Sequence, residues 1–440
     1  MKTRIINLWY KVKSSYWFIP SLMLILSVLM SQITIYVDYV IHRHELKTGL
    51  LYTGGVEGAR AVLSTIASSM ITVAGVVFSI VMVVLSIASS QFGPRIIWNF
   101  MNDRGNQAVL GTFIATYLYC LLVLRSVRST HNGVFISHLS VTLGVALAIL
   151  SLGVLIYFIH HVASSLQVNS VVFSVATDLD DCINRNYPKQ ETDDQENNIS
   201  ESKERDEKDR FQQIILSSKR GYLQVIDLET LYELADKNRL FIKIIPRPGD
   251  FITDGEMLAA VYSQEETPQT LIEKIRDSFI AGRTKTMEQD VKYGIEQITE
   301  IAVRALSPGI NDPYTAMACI DRIKAAMIKL SDYNLSRKRV RRKNGKAILV
   351  SNLVDFKQLA DTAFDPIRQY GKSDIQVSLK LLETIRYIAM RTSEERHLRI
   401  LKEHAEKIHA SCLIVMKNEK DRQQIKSRME EIYKEYGIKN

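Results

Sequence analysis

The sequence predicts an α-helical membrane bundle of four transmembrane helices, followed by a soluble α+β domain with a small β-rich module and a helical module. Three observations carry this. Four apolar runs, each long enough to cross a hydrocarbon core of about 30 Å, lie before Val162. Beyond Val162 charges become dense and no run is long enough to span a bilayer. Between the halves, the stretch 188–210 is dominated by Glu, Asp, Lys, Asn and Ser, the composition of a disordered linker. The expected organisation is therefore 1–162 membrane bundle, 163–187 helical connector, 188–210 charged linker, 211–265 β-rich module and 266–440 helical module.

The bulk averages hide this division. Mean hydropathy is near zero because two unlike halves cancel. The net charge of +8 is modest for 440 residues and does not by itself argue for nucleic acid. Cys120, Cys182, Cys319 and Cys412 lie far apart with no C-x-x-C spacing. They read as buried thiols in a reducing compartment, not as disulfides or a zinc site.

The first span runs from Trp17 to Val40, with Trp17 at the interface and Pro20 in the first turn, where a missing N–H is tolerated. The basic start (Lys2, Arg4, Lys11, Lys13) precedes a run longer than a signal h-region, so no cleavable signal peptide is expected. The second span, Ala61 to Ser90, carries no charge. At 1.5 Å per residue it reaches about 45 Å, longer than the hydrocarbon core. The third covers Ala108 to Leu124 and the fourth Phe135 to Ile159. The short turn between them makes them antiparallel neighbours. The balance of Lys and Arg among the loops favours a cytoplasmic N-terminus, and four spans return the C-terminus to the same side.

A seven-residue step along the second span aligns Thr65, Thr72, Ser79 and Ser86. The adjacent line carries Ser68, Gly75 and Ser89. Two readings stay open: tight helix packing through small residues, or a hydroxyl-lined water path at the centre of a homo-oligomer passing a small ion. No acidic or basic residue lies on the stripe, which argues against a charge-ring filter. Gly93-Pro94 stops this helix, and Gln91, Arg95, Asp103 and Arg104 belong to a polar elbow at the expected cytoplasmic mouth.

In the soluble half, Gly221–Asp227, Leu240–Ile245 and Met257–Tyr262 read as strands and Leu228–Lys237 as a helix. The pattern is similar to part of a barrel-sandwich hybrid, but no lysine occupies a hairpin tip, so no carrier cofactor is expected. Helices are expected over Arg283–Leu306, after Asp312 with Pro313 at the first position, from Ser373, and over Ser393–Tyr436. The basic run Arg337, Lys338, Arg339, Arg341, Arg342 and Lys343 reads as a loop, either solvated or touching anionic membrane lipid. No aromatic residues interleave with it, which points away from nucleic acid.

Several stretches carry a resemblance: Ala59–Ile66, Ser89–Arg95, Gly111–Thr116 and, most specifically, Arg304-Ala305-Leu306-Ser307-Pro308-Gly309-Ile310-Asn311-Asp312-Pro313-Tyr314-Thr315-Ala316. Together they resemble a family of bacterial predicted membrane proteins catalogued as domain of unknown function 2254. The resemblance implies an inner-membrane location and no particular reaction. In the last motif, Ser307-Pro308-Gly309 ends one helix and Asn311-Asp312-Pro313 starts the next, so the two meet at a sharp corner. The functional alternative is an ion or subunit contact using Asn311 and Asp312, with Asp290, Arg304 and Ser307 nearby.

No His/Cys metal spacing, P-loop, G-x-S-x-G or dinucleotide fingerprint is present, so neither an enzyme nor a metal site is expected. The pair His160-His161 reads as interfacial. The leading expectation is an oligomeric channel or permeation protein regulated by its soluble domain. The alternative is a membrane-anchored sensor or scaffold that binds a partner without transport.

Overall fold

Apolar runs free of helix breakers fold into four long helices: α1 Phe18–Arg43, α2 Val56–Phe92, α3 Arg104–Ser126 and α4 His138–Ser165. All four are long and apolar enough to cross a membrane. The computed structural model describes residues 17–43, 55–93, 103–130, 133–135, 138–165, 167–187, 211–333, 335, 338–343 and 346–435. It divides into two units, Met1–Ser170 and Val171–Asn440.

In the first unit, α2 has 37 residues, about 55 Å of helix and longer than expected. The turn expected between the last two spans is a small ribbon, β1 Arg128–Thr130 paired antiparallel with β2 Gly133–Phe135. α4 accordingly starts at His138 and not at Phe135.

Helix α3 is the central element. It is 56% buried over its apolar window, against 22–28% for the other three, because it packs on α1, α2 and α4. Its Gly111 admits α1 closely: a Cβ there would meet Met23 Sδ at 2.6 Å and Pro20 Cα at 3.2 Å. On α2, the buried face is Leu63, Ala67, Met70, Ala74, Val77, Val81, Val84 and Ala88, an alternating four-and-three step that keeps one seam on its neighbours.

Polar side chains bond across these helices where no water competes. Ser27 Oγ donates to Ala115 O at 2.7 Å, Tyr119 Oη donates to Ser140 O at 3.0 Å, and Thr116 and Ser151 pair at 3.2 Å. Asp38, near the end of α1, accepts from the backbone N–H groups of Leu139 and Ser140, both at 2.9 Å, and from Ser140 Oγ at 2.6 Å. A carboxylate on one helix thus caps the N-terminus of another, where free N–H groups and the helix dipole favour negative charge.

The second unit takes in most of α5 Val168–Asn186. Sheet strands follow: β3 Phe211–Leu216, β4 Gly221–Ile226, β5 Phe241–Ile244, β6 Phe251–Ile252 and β7 Met257–Ser263, with α6 Leu228–Lys237 between β4 and β5. Then come α7 Gln269–Asp277, β8 Phe279–Gly282, α8 Val291–Ala305, α9 Pro313–Ser331, β9 Lys338–Lys343 and β10 Lys346–Asn352. Helices α10 Phe356–Gly371, α11 Ile375–Arg391, α12 Glu395–Val415 and α13 Glu419–Glu435 complete the unit.

The strands form one five-stranded sheet, β3-β7-β5-β10-β9, and one three-stranded sheet, β6-β4-β8. Both reach beyond the expected 211–265 module. β8 closes the small sheet against β4, and β10 joins the large one in parallel with β5. The sheets and α6 and α7 share a core that includes Ile215, Leu223, Leu231, Ile242, Leu258 and Ile275. The basic run is a strand and not the expected loop. Residues 338–343 form the edge strand β9, pairing antiparallel with β10, and dense charge at an open edge discourages further strand addition. Arg337 lies outside the described residues.

Aspartates set the helix starts. Asp227, Asp290, Asp312 and Asp374 each accept from the backbone N–H three residues on, at 3.0–3.1 Å, capping α6, α8, α9 and α11. The four cysteines are reduced and buried, and burial pushes the thiols of Cys182 and Cys319 up to about 12, so they are inert.

Candidate functional site

The hydroxyl stripe lies on the face of α2 opposite its packed seam. Thr65, Ser68, Thr72, Gly75, Ser79 and Ser86 are all exposed, and Ser89 is half-buried. A Cβ built at Gly75 would meet nothing within 4 Å. The stripe is therefore not what packs α2 within the chain; the alternating seam is. Thr65, Thr72 and Ser79 donate to the carbonyls of Ala61, Ser68 and Gly75 at 2.8–2.9 Å. Each hydroxyl is satisfied as a donor inside its own helix and keeps lone pairs that can accept from water or face a cation. Thr72, Gly75 and Ser79 line an open groove with Val76, Val83 and, from α4, Val162.

The residues expected at the elbow follow the end of this face in sequence. Gln91 is exposed in the last turn of α2, and Arg95 lies outside the described residues. Asp103 caps α3, with Oδ1 accepting from Gly105 N at 2.7 Å. Its Oδ2 lies 2.6 Å from His161 Nε2 on α4, and Tyr157 stacks on that imidazole at 5.4 Å. Any Cβ at position 105 would come within 2.8 Å of His161 Nε2, so glycine makes the contact possible. His161 is thus half of a carboxylate–imidazole clasp between α3 and α4. Arg104 is exposed in the first turn of α3.

The corner between α8 and α9 is held by its own backbone and caps. Ser307 Oγ donates to Arg304 O at 2.6 Å, Asn311 N donates to Ser307 O at 2.9 Å, and Asp312 N donates to Ala305 O at 2.8 Å. Asn311 has φ +51°, a left-handed conformation that asparagine tolerates better than most residues. Thr315 Oγ1 donates to Asp312 Oδ2 at 2.6 Å, and Arg304 pairs with Glu300 at 3.5 Å. Asp290 is not at this corner. It caps the opposite end of the 15-residue α8. There it is buried against Gly249, whose φ of +91° and missing Cβ leave room for the carboxylate. Burial pushes the Asp290 carboxyl up to about 6, and the hydrogen bond from Tyr293 N only partly opposes this. The corner instead exposes Ile310 and Tyr314.

The family model described as predicted membrane protein, domain of unknown function 2254, matches residues 13–387. The chain belongs to this family. Two uncharacterized proteins, from Mycobacterium bovis and Mycobacterium tuberculosis, are each 30% identical over 349 residues, covering 77% of this chain. The chain spans about 65% of the length of these curated relatives. No solved structure matches.

The matched region takes in all four spans, the stripe, the elbow and the corner. Three features were not found from sequence. One is Asp38, where an acidic residue at the end of an apolar run is itself a signal of a buried partner. The α2 seam is a four-and-three step of apolar residues on the face opposite the hydroxyl stripe. The third is Asp361, Asp365 and His404, brought together from α10 and α12 so that ligating atoms lie within 4.8 Å of one another. These are the described residues able to hold a metal ion. A spacing search misses them because the imidazole comes from another helix.

Proposed function

We propose that this predicted membrane protein is an oligomeric channel or related permeation protein, in which the hydroxyl faces of α2 from several copies surround a water-filled path. The observation behind this is the exposure of Thr65, Thr72 and Ser79 on the side of α2 that the chain leaves uncovered, while the opposite side is packed. A helix of about 55 Å is also longer than a bilayer core and would carry such a path beyond the headgroups. An uncharged, hydroxylated lining suits small ions without strong charge selection. In this proposal the elbow forms the cytoplasmic mouth, both termini and the second unit are cytoplasmic, the membrane is the inner membrane, and the basic strand β9 meets anionic headgroups.

Purified full-length protein in planar bilayers is expected to conduct. Ser79→Leu is expected to abolish most of the current while leaving the helical content unchanged, because the added bulk enters the path. Currents equal to wild type in Ser79→Leu, or silent bilayers across voltage, tension and ionic conditions, contradict the proposal.

A further inference from the structure

Helices α10 and α12 pack against one another in the second unit and bring an imidazole between two carboxylates. Asp361 and Asp365 are four residues apart, on one face of α10. His404 comes from α12 and is 1% exposed. Its Nε2 lies 3.1 Å from Asp361 Oδ1 and its Nδ1 lies 3.7 Å from Asp365 Oδ1. Neither ring nitrogen meets a partner in hydrogen-bond geometry among the described residues, even at the shorter distance. A buried imidazole with both nitrogens unsatisfied is costly, and a side chain in that state needs an explanation. Phe364 packs at 5.6 Å from the ring and restricts its orientation.

We propose that Asp361, Asp365 and His404 bind one divalent transition-metal ion of the zinc, iron(II) or manganese class. The donor set is two carboxylate oxygens and one imidazole nitrogen. That set suits borderline ions; calcium and magnesium prefer oxygen alone, and copper(I) prefers sulfur. Metal–ligand bonds of about 2.0–2.2 Å need the donors closer together than 4.8 Å, so the carboxylates must close on the ion. Both aspartates are half-buried and retain that freedom. They also leave an entry path from solvent, while the fixed imidazole anchors the site. The ion then links α10 to α12.

Cations hold the carboxylates when no metal is bound. Lys357 Nζ lies 3.2 and 3.3 Å from the two Asp361 oxygens, and Arg368 Nε lies 3.3 Å from Asp365 Oδ1. Lys407, one turn along α12, adds positive charge beside both. Lys357 therefore competes directly with an incoming ion. This separates a metal site from a permanent ion-pair cluster: in a metal site, removing Lys357 strengthens binding, whereas in a structural cluster it only weakens the fold.

The test uses the full chain in detergent, stripped with a chelator and dialysed against ZnCl2 or MnCl2 alone, with bound metal counted by elemental analysis and affinity by titration calorimetry. About one ion per chain is expected, with a raised melting temperature. Asp361→Asn is expected to lose binding at least tenfold while keeping the wild-type circular dichroism spectrum, and Lys357→Ala to bind several-fold tighter. No retained metal in the wild type, equal retention in Asp361→Asn, or unchanged or weaker affinity in Lys357→Ala overturns the assignment.

Discussion

Asp38 and Asp290 are both carboxylates at helix N-termini, and their surroundings differ. Asp38 collects three donors across helices, two of them backbone N–H groups of α4. Asp290 has one backbone donor and a deep burial that dominates it. The folded Asp290 carboxyl titrates at about 6 and the unfolded one near 3.8. Between those values the folded chain keeps a proton that the unfolded chain has lost, so this group lowers stability as pH rises from about 4 to 6, with no further change above. Asparagine caps a helix as well as aspartate but carries no charge to bury. Asp290→Asn is therefore expected to gain stability over wild type on going from pH 4 to pH 7, on the order of 2–3 kcal/mol. Denaturant melts at the two pH values check this; an equal difference at both contradicts it. The sequence placed a cap at Asp312, since Pro313 marks that helix start. It grouped Asp290 with the wrong end of α8, because distance along a helix separates residues that a motif-based reading treats as neighbours.

At the scale of elements, small residues have two roles in the membrane unit, and the sequence alone did not separate them. Gly111 on α3 lies against α1, and a Cβ at Gly144 on α4 would meet Leu63 Cδ2 at 3.2 Å. Gly75 on α2 faces open space. Gly111→Val is expected to cost about 1–3 kcal/mol through overpacking, and Gly75→Val is expected to leave the melting temperature of the purified protein near wild type. The reverse order would mean that the α2 face, and not α3, holds the bundle together. The four spans were legible because apolar length is a local signal. Strand partners were not: β10 pairs with β5 about a hundred residues earlier, and nothing local in Lys346–Asn352 names that partner. The basic run looked like a loop because its charge outweighs its strand propensity. Backbone pairing with β10 makes it a strand, at the open edge of the sheet. Asp361, Asp365 and His404 were missed for the same non-local reason.

The whole molecule consists of a four-helix membrane unit and a larger α+β unit, and belongs to a family of predicted membrane proteins. The proposed function rests on the uncovered face of α2. Lipid around that face and water within an assembly make opposite chemical demands, and a thiol reports the difference because only the hydrated thiolate reacts quickly. The native cysteines are buried and give a low background. The most direct measurement is labelling of single substitutions in native membranes with a charged, water-soluble thiol reagent. Thr72→Cys and Ser79→Cys are predicted to label, while Ile149→Cys on the outward face of α4 stays unlabelled in lipid. If Thr72→Cys and Ser79→Cys are as unreactive as Ile149→Cys, the stripe faces lipid and the α2 path does not exist.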